Sequence, residues 1–414
     1  MMQQPVLNRV KAQTRHWFIP AVDTKPDIRG EDFLFRLLMF FQKPVSWSRQ
    51  KVVLNLILWS GLVWGLWQLA APTMSLFTGI GLLAFSFGDW ALLNWLPKVN
   101  RSFGPIKTQL MFMLVPRVMV AIFAAGLAGF VQPTWGLIAF FAFQAAGTIA
   151  YIWGLGFEPL RLSMTELTVT SPHLPKNEKP IRIMHLSDFH IERLAAREEK
   201  VLQFVKQADP DLILITGDYL NASNRCEETA VNQVRQFLPQ LQAPYGVYAV
   251  LGTPSVDIPY IAPLHFQETN IALLRRDIVE VDLGQDRKVA IMGLDCTHDV
   301  KYDSLSFQKM MNVAPTDTTR IFLFHSPELM PEAVKHDLDL YLCGHTHGGQ
   351  VRIPGFGALF TSAHTGKKYE MGRYDENGTT MYVSRGIGLE GFSMPRIRLF
   401  CPPEVTLVTL QGEK

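Results

Sequence analysis

Cysteine is scarce. Only Cys226, Cys296, Cys343 and Cys401 occur in 414 residues, with no paired spacing, which argues against a disulfide framework and for free thiols in a reducing compartment, packed as small core residues. A charge excess is also missing. The chain has 39 Lys and Arg against 37 Asp and Glu, a net charge of +2, so it carries no overall electrostatic footprint for nucleic acid, and none is expected as a partner. The segment 1–51 lacks the early apolar core and small-residue cleavage site of a signal peptide, so no processing is expected. Internal repeats and long low-complexity tracts are absent as well.

What the chain has in quantity is apolar sequence, unevenly placed. Its length suggests two or three domains. Residues 52–71, 74–96, 110–130 and 135–153 are each long and apolar enough to cross a bilayer, which takes about 20 helical residues. The turns at 72–73 and 131–134 hold no Lys or Arg, whereas the stretch before Val52 and the 98–109 connection hold many. By the positive-inside bias both termini face the cytoplasm. The expected organisation is a basic N-terminal segment over 1–51, a four-span transmembrane domain over 52–157 and a soluble cytoplasmic domain over 158–414. Within the first segment, 33–41 is apolar but too short to span. It reads equally as an interfacial amphipathic helix and as a helix packed on the soluble domain.

Two ionisable residues fall inside the spans, Asp89 and Arg117. A charge in hydrocarbon is costly unless paired or wet. Each lies seven residues from the cytoplasmic end of its span, roughly 10 Å deep at the helical rise, so an ion pair joining spans two and three is expected. The alternative is that Arg117, beside the kinking Pro116, snorkels alone to the surface. One acid and one base in four short-looped spans offer little for a transport path, and anchoring is the preferred role of the bundle.

After Pro159 the hydrophobic pattern becomes strand-like. An edge strand is expected over 164–170, then strands over 181–186, 211–216, 247–251, 289–294, 320–324, 338–343, 380–384 and 405–410. Amphipathic helices are expected over 197–207 and 228–238. So many strands in about 250 residues fit two packed sheets flanked by helices better than one parallel sheet.

Several of these strands end in good metal ligands. Asp188 and His190 follow the strand from Ile181, Asp218 follows the next, His325 follows the strand from Arg320, and His345 and His347 follow the strand ending at Cys343. Loops at the carboxyl ends of strands in an open αβ sheet converge on one crevice, so ligands distant in sequence can meet there. In Asp188-x-His190 and His345-x-His347 the alternate residues point the same way along an extended strand end. Carboxylates with imidazoles suit zinc, manganese or iron better than calcium. Asp218 is placed to bridge two ions, Gly217 and Gly344 permit tight turns, and Gly348-Gly349 leaves backbone free to approach a phosphate. Taken singly, the other histidines read differently: His173, His265, His336 and His364 as surface or hydrogen-bonding residues, and His185, inside its strand, as core.

Together the blocks Leu186-Ser-Asp-Phe-His190, Thr216-Gly-Asp218, Phe324-His-Ser326 and Cys343-Gly-His-Thr-His-Gly-Gly-Gln350 resemble the calcineurin-like metallophosphoesterases, over about 164–410. Val383-Ser-Arg-Gly386 and Cys401-Pro-Pro-Glu-Val405 are similar to a membrane-linked bacterial branch that includes enzymes cleaving the pyrophosphate of UDP-diacylglucosamine. The resemblance implies a four-layer α/β sandwich behind the four-helix transmembrane bundle, in a bacterial inner membrane. It implies a hydrolase acting on phosphoester bonds with two divalent transition metal ions (Mn, Zn or Fe), one held by Asp188, His190, Asp218 and His347, the other by Asp218, His325 and His345. The implied partner is a phosphorylated small molecule or a lipid-linked substrate carrying a phosphodiester or pyrophosphate.

One block departs. Where the family has Gly-Asn-His followed by an acid, this chain reads Leu251-Gly-Thr-Pro-Ser255. Thr253 replaces a carboxamide ligand of the second metal and Pro254 an imidazole that assists the leaving group. Proline has no side-chain proton to transfer. Asp257 substitutes only if the loop folds back within hydrogen-bond reach. Two-metal hydrolysis needs no protein nucleophile, so activity on substrates with good leaving groups is expected to survive, with a weakened second site. The rival reading of Gly252-Thr253-Pro254 is a metal-binding regulator or scaffold on a degraded enzyme fold.

Overall fold

A computed structural model describes residues 15–18, 40, 42–391 and 394–413. The chain divides into two compact units, one of Met1–Ile28, Leu162–Leu389 and Phe400–Lys414, the other of Arg29–Arg161 and Glu390–Leu399. Of the 33–41 stretch only Phe40 is described, so that expectation lies outside the described residues.

The second unit holds helices α1 (Arg49–Ala70), α2 (Ser75–Trp95), α3 (Ile106–Phe130) and α4 (Pro133–Gly156). All four are long and apolar enough to cross a membrane. Their apolar runs were legible. What extends α1 beyond its run is a cap: the Ser48 hydroxyl accepts from Lys51 N at 3.2 Å and adds a polar first turn. Val52, Leu56, Trp67, Ala121 and Phe140 form a buried seam, in which Trp67 Nε1 donates to the Ala121 carbonyl at 3.1 Å. The expected pair forms inside this unit. Arg117 Nε and Nη2 donate to the two oxygens of Asp89 at 2.5 and 2.6 Å, both residues buried. Late in the chain, Arg396 N donates to Gln109 Oε1 and Arg398 N to the Gly154 carbonyl, which places 394–399 among the helices of this unit.

The first unit is a layered sandwich. One sheet runs in the order β2 (Ser163–Ser171), β15 (Glu404–Gly412), β3 (Ile181–Leu186), β4 (Leu212–Ile215), β5 (Val247–Ala249), β6 (Ile271–Leu273). The other runs β1 (Arg15–Phe18), β7 (Arg276–Asp282), β8 (Lys288–Leu294), β9 (Thr319–Leu323), β10 (Leu340–Cys343), β14 (Thr379–Val383), β13 (Gly372–Glu376), while β11 (Arg352–Ile353) and β12 (Gly357–Ala358) pair as a separate hairpin. β3 to β6 are mutually parallel, as are β8, β9, β10 and β14. Strand β1, for which the sequence offered no signal, pairs antiparallel with β7 at the sheet edge.

Alternation along the strands builds three cores. Ile181, Ile183, Leu212 and Leu214 face Val289, Ile291, Ile321 and Leu342 between the sheets. Met184, Leu186, Ile213 and Ile215 face the other way, onto α5 (Ala196–Ala208) and α6 (Glu228–Phe237). Met292, Phe322 and Tyr341 face α7 (Val300–Met311). With both faces covered, central strands such as Leu212-Ile-Leu-Ile215 are continuous apolar runs. The parallel strands of both sheets deliver their carboxyl ends, and the loops that follow, to one region.

Candidate metal centre

Those loops carry all six expected ligands. Backbone geometry marks them: Asp188, His190, Asp218, His345 and His347 have φ of 53°, 44°, 58°, 71° and 51°. Non-glycine residues adopt this left-handed region rarely, and such conformations cluster at functional sites. Two glycines make the approach possible. Gly217 has φ of 88° and packs on the Gly252 backbone, and a Cβ on Gly344 would lie 2.0 Å from Asp188 Oδ2.

Five of the six side chains meet in two overlapping groups, and His345 belongs to a third described below. Asp188, His190 and His347 form one, with His190 Nε2 and His347 Nε2 3.0 Å apart and His347 Nε2 3.4 Å from Asp188 Oδ1. Asp188, Asp218 and His325 form the other. Asp218 Oδ2 lies 3.5 Å from His190 Nε2 and 3.2 Å from His325 Nε2, so one carboxylate oxygen faces both groups. The other oxygen of Asp218 is used by the protein, accepting from Thr253 N at 2.7 Å. His325 Nδ1 donates to the Thr216 carbonyl at 2.7 Å, which leaves Nε2 free of its proton in the neutral ring and turned to Asp218.

A buried relay stands behind Asp188. His185 lies on the inter-sheet face of β3, as a core residue should, and Nε2 meets Thr216 Oγ1 at 2.8 Å. Thr216 donates to Ser187 Oγ at 2.7 Å and Ser187 to Asp188 Oδ2 at 2.5 Å. The chain of donors fixes the carboxylate from outside the site.

Burial puts the charges in tension. Burial by itself would lower the His325 pKa, but Asp218, by charge and hydrogen bond, and then Asp188 raise it to about 10. Burial opposes ionisation of Asp218, yet His325 and His190 hold its carboxyl well below the usual range. His345 is pushed down to about 3 by burial and by the rings of His298 and His325. Its Nε2 is buried with no hydrogen-bond partner. Two buried carboxylates, four inward imidazoles and an orphaned ring nitrogen are a donor set that suits a divalent transition ion.

The loop after β5 differs from the family pattern in the way the sequence indicated. Pro254 offers no proton. Asp257 does fold back, but its oxygens accept from the backbone N–H groups of Asp218 at 2.7 Å, Gly252 at 2.8 Å and Tyr219 at 3.1 Å. Burial and the neighbouring Asp218 charge push its pKa up to about 7 against those donors. It is a clamp on the ligand loops, with its acceptors turned away from the reaction. At Gly348 and Gly349 an added Cβ would meet Cys401 Sγ at 2.7 Å and Ala358 Cβ at 2.4 Å, so both positions are close-packed on that side and require glycine.

One residue at the site was missed. His298, four residues past β8, brings Nε2 to 3.3 Å from Thr253 Oγ1 and Nδ1 to 3.5 Å from Glu328 Oε2. His298, Glu328 and His345 form a third group of potential ligands. The signal was present, since His298 also follows the carboxyl end of a strand, but it lies in no motif.

A two-sheet sandwich with carboxylates and imidazoles gathered at its strand ends is the architecture of an αβ metallohydrolase. A family model of the calcineurin-like phosphoesterases matches residues 181–252, from β3 to Gly252, just before Thr253 and Pro254. The uncharacterized metallophosphoesterase YkuE of Bacillus subtilis is 27% identical over 287 residues, 68% of this chain and 96% of its own length. The UDP-2,3-diacylglucosamine pyrophosphatase LpxG of Chlamydia muridarum is 24% identical over 321 residues, 64% of this chain and 94% of its own. The phosphodiesterase YaeI of Escherichia coli is 26% identical over 238 residues, 56% of this chain and 83% of its own. The match to the calcineurin-like phosphoesterases and to these relatives supports a metal-dependent hydrolase acting on phosphoester bonds.

Proposed function

We propose that the protein is a membrane-anchored phosphoesterase that hydrolyses a phosphodiester or pyrophosphate bond, with its catalytic unit on the cytoplasmic side of a bacterial inner membrane. One ion is held by Asp188, His190, Asp218 and His347, and a second by Asp218, His325 and His345. The observation that carries this reading is Asp218 Oδ2, set within 3.5 Å of His190 Nε2 and 3.2 Å of His325 Nε2 as a bridging oxygen would be. When bound, a pair of divalent ions supplies a water-derived nucleophile near neutral pH and offsets charge developing on the phosphoryl oxygens.

The chain's own residues then narrow the substrate. Pro254 cannot protonate a departing oxygen and Asp257 is occupied by backbone donors, so the leaving group must depart without a protein acid. A nucleotide or a phosphate anhydride meets that condition. Beside the loop, a cavity of about 660 Å³ is bounded by Pro254 and Thr297, with Arg225, Arg276 and Tyr302 among its lining residues. Its size suits an organic group carried by the phosphate, and its lining is mixed in charge, with Asp295 beside the two arginines and Arg225 held by the Ser255 carbonyl. The four apolar helices and the LpxG relative favour a lipid-linked member of this class.

The test is a substrate panel on the full-length protein in detergent with Mn²⁺: a phosphomonoester, a bis-aryl phosphodiester, a nucleotide diphosphate sugar and its diacylated form. Turnover of the diester or pyrophosphate, lost in Asp188→Ala, is the expected result. Fewer than two bound ions with no turnover of any substrate would overturn the proposal.

A further inference from the structure

Thr253 leaves the second metal position short of a ligand, and the surroundings of its hydroxyl show what fills the gap. Three imidazole nitrogens from three different loops converge on Thr253 Oγ1: His298 Nε2 at 3.3 Å, His325 Nε2 at 3.2 Å and His345 Nδ1 at 3.4 Å. The rings sit close, with His298 and His345 centroids 4.6 Å apart and those of His325 and His345 5.0 Å apart. A hydroxyl carries one proton to donate, so three ring nitrogens around it are more acceptor capacity than it can satisfy unless two of the rings are protonated there. A cation satisfies all three at once.

His298 is also built as a ligand. Its φ of 61° shares the left-handed conformation of Asp188, His190, Asp218, His345 and His347. Its Nδ1 faces Glu328 Oε2 at 3.5 Å, a buried carboxylate behind an imidazole whose other nitrogen points into the centre. Carboxylates in that position fix the tautomer and raise the basicity of metal-binding histidines. Glu328 itself is engaged by protein donors at both oxygens: Ser326 Oγ at 3.1 Å and His298 reach Oε2, and His364 N reaches Oε1 at 3.0 Å. It orients; it does not ligate.

We propose that His298 is the fourth protein ligand of the second ion, standing where the family's carboxamide would act and replacing Thr253 in that role, and that Glu328 is its positioning residue. This rests on the two-ion reading above. The replacement comes from a strand in the other sheet: Thr253 follows β5, while His298 follows β8. A centre that has lost its family motif is thereby completed by a residue outside it.

Metal uptake tests this independently of turnover. The full-length protein in detergent, stripped with a chelator, is titrated with Mn²⁺ by calorimetry, and the exchange-coupled manganese signal is read by electron paramagnetic resonance. The wild-type chain is expected to take two ions and show coupling. His298→Ala is expected to take one, with coupling lost; retention of that ion shows that the fold and the first site survive. Glu328→Gln, which keeps the shape of the side chain, is expected to weaken the second ion alone, by about 10- to 100-fold. Two ions at unchanged affinity in either variant would overturn the assignment and leave the two-ion reading intact. Fewer than two ions in the wild type would overturn both.

Discussion

Arg117 grips Asp89 with two parallel hydrogen bonds across the interior of the helical unit, Nε to Oδ2 and Nη2 to Oδ1. Gln144 Oε1 and Thr148 Oγ1 each accept a further guanidinium proton at 2.9 Å and the Gln144 carbonyl another at 3.2 Å, and Gln144 Nε2 returns a bond to the Arg117 carbonyl. The pair ties α2 to α3 and, through Gln144, to α4. Removing one partner leaves the other buried and uncompensated, which costs about 3–5 kcal/mol for a buried pair. We expect Asp89→Leu and Arg117→Leu each to destabilise the helical unit by that order, and the double variant to be less destabilised than the sum. Tryptophan fluorescence during denaturation suits the measurement, since Trp59, Trp64, Trp67, Trp90 and Trp95 lie in these helices. Additive losses would show that the two charges are not coupled.

The loop after β5 yields a second expectation. Thr253→Asn with Pro254→His rebuilds the family motif, returning a carboxamide and a proton donor. A well-placed acid contributes about 10²- to 10⁴-fold. The gain should be large for alkyl phosphodiesters, whose leaving group needs a proton, and small for p-nitrophenyl esters, whose leaving group does not. Equal gains on both would mean that the new imidazole acts on metal binding and not on the leaving group.

The ligands were legible because Asp188, Asp218, His325 and His345 stand two or three residues past buried apolar runs such as Leu212-Ile-Leu-Ile215, and His190 and His347 repeat a two-residue spacing after the first and last of them. His298 was not, because it stands alone: nothing in Asp295-Cys-Thr-His298 repeats the spacing of those pairs. Strand β7, Arg276-Asp-Ile-Val-Glu-Val-Asp282, was hidden by its charges: only Ile278, Val279 and Val281 are buried, and pairing with β8 supplies what the local pattern lacks. Strand β13, Gly372-Arg-Tyr-Asp-Glu376, has no apolar alternation at all and exists through β14. The sequence assigns the stretch 394–399 to no element and places two arginines in it, yet both Arg396 and Arg398 are fully buried and belong to the helical unit. Such placements are decided by partners far along the chain, which local periodicity does not encode.

Gly344 sets a tolerance on the centre that substitution can probe. A methyl there would fall 2.0 Å from Asp188 Oδ2 and 2.1 Å from Ser187 Oγ, so Gly344→Ala must displace the carboxylate or the strand end that carries it. Misplacement of a catalytic group by about 1 Å costs on the order of 10²-fold in rate. We expect a loss of at least that size, with the circular dichroism of the sandwich unchanged and metal affinity reduced. Normal turnover would mean that Asp188 is not held where the reaction needs it.

His185 makes stability depend on pH in a defined direction. Burial lowers its pKa from the ordinary 6.5 to about 3. Below about 6.5 the unfolded chain takes up a proton that the folded imidazole refuses until about 3, so the stability it contributes is complete above that upper limit and is lost progressively as pH falls through the window. The Nε2 proton is committed to Thr216, and His185→Gln keeps a donor there without a titrating group. Relative to the wild type, the variant should gain stability on acidification from pH 7 to 5, by up to about 1.4 kcal/mol per pH unit within the window. Calorimetric unfolding of both proteins over that range is the measurement, because the remaining histidines are common to the pair and cancel in the difference. Parallel curves would mean that His185 takes up its proton as readily in the sandwich as in the unfolded chain, which its place on the inter-sheet face of β3 forbids.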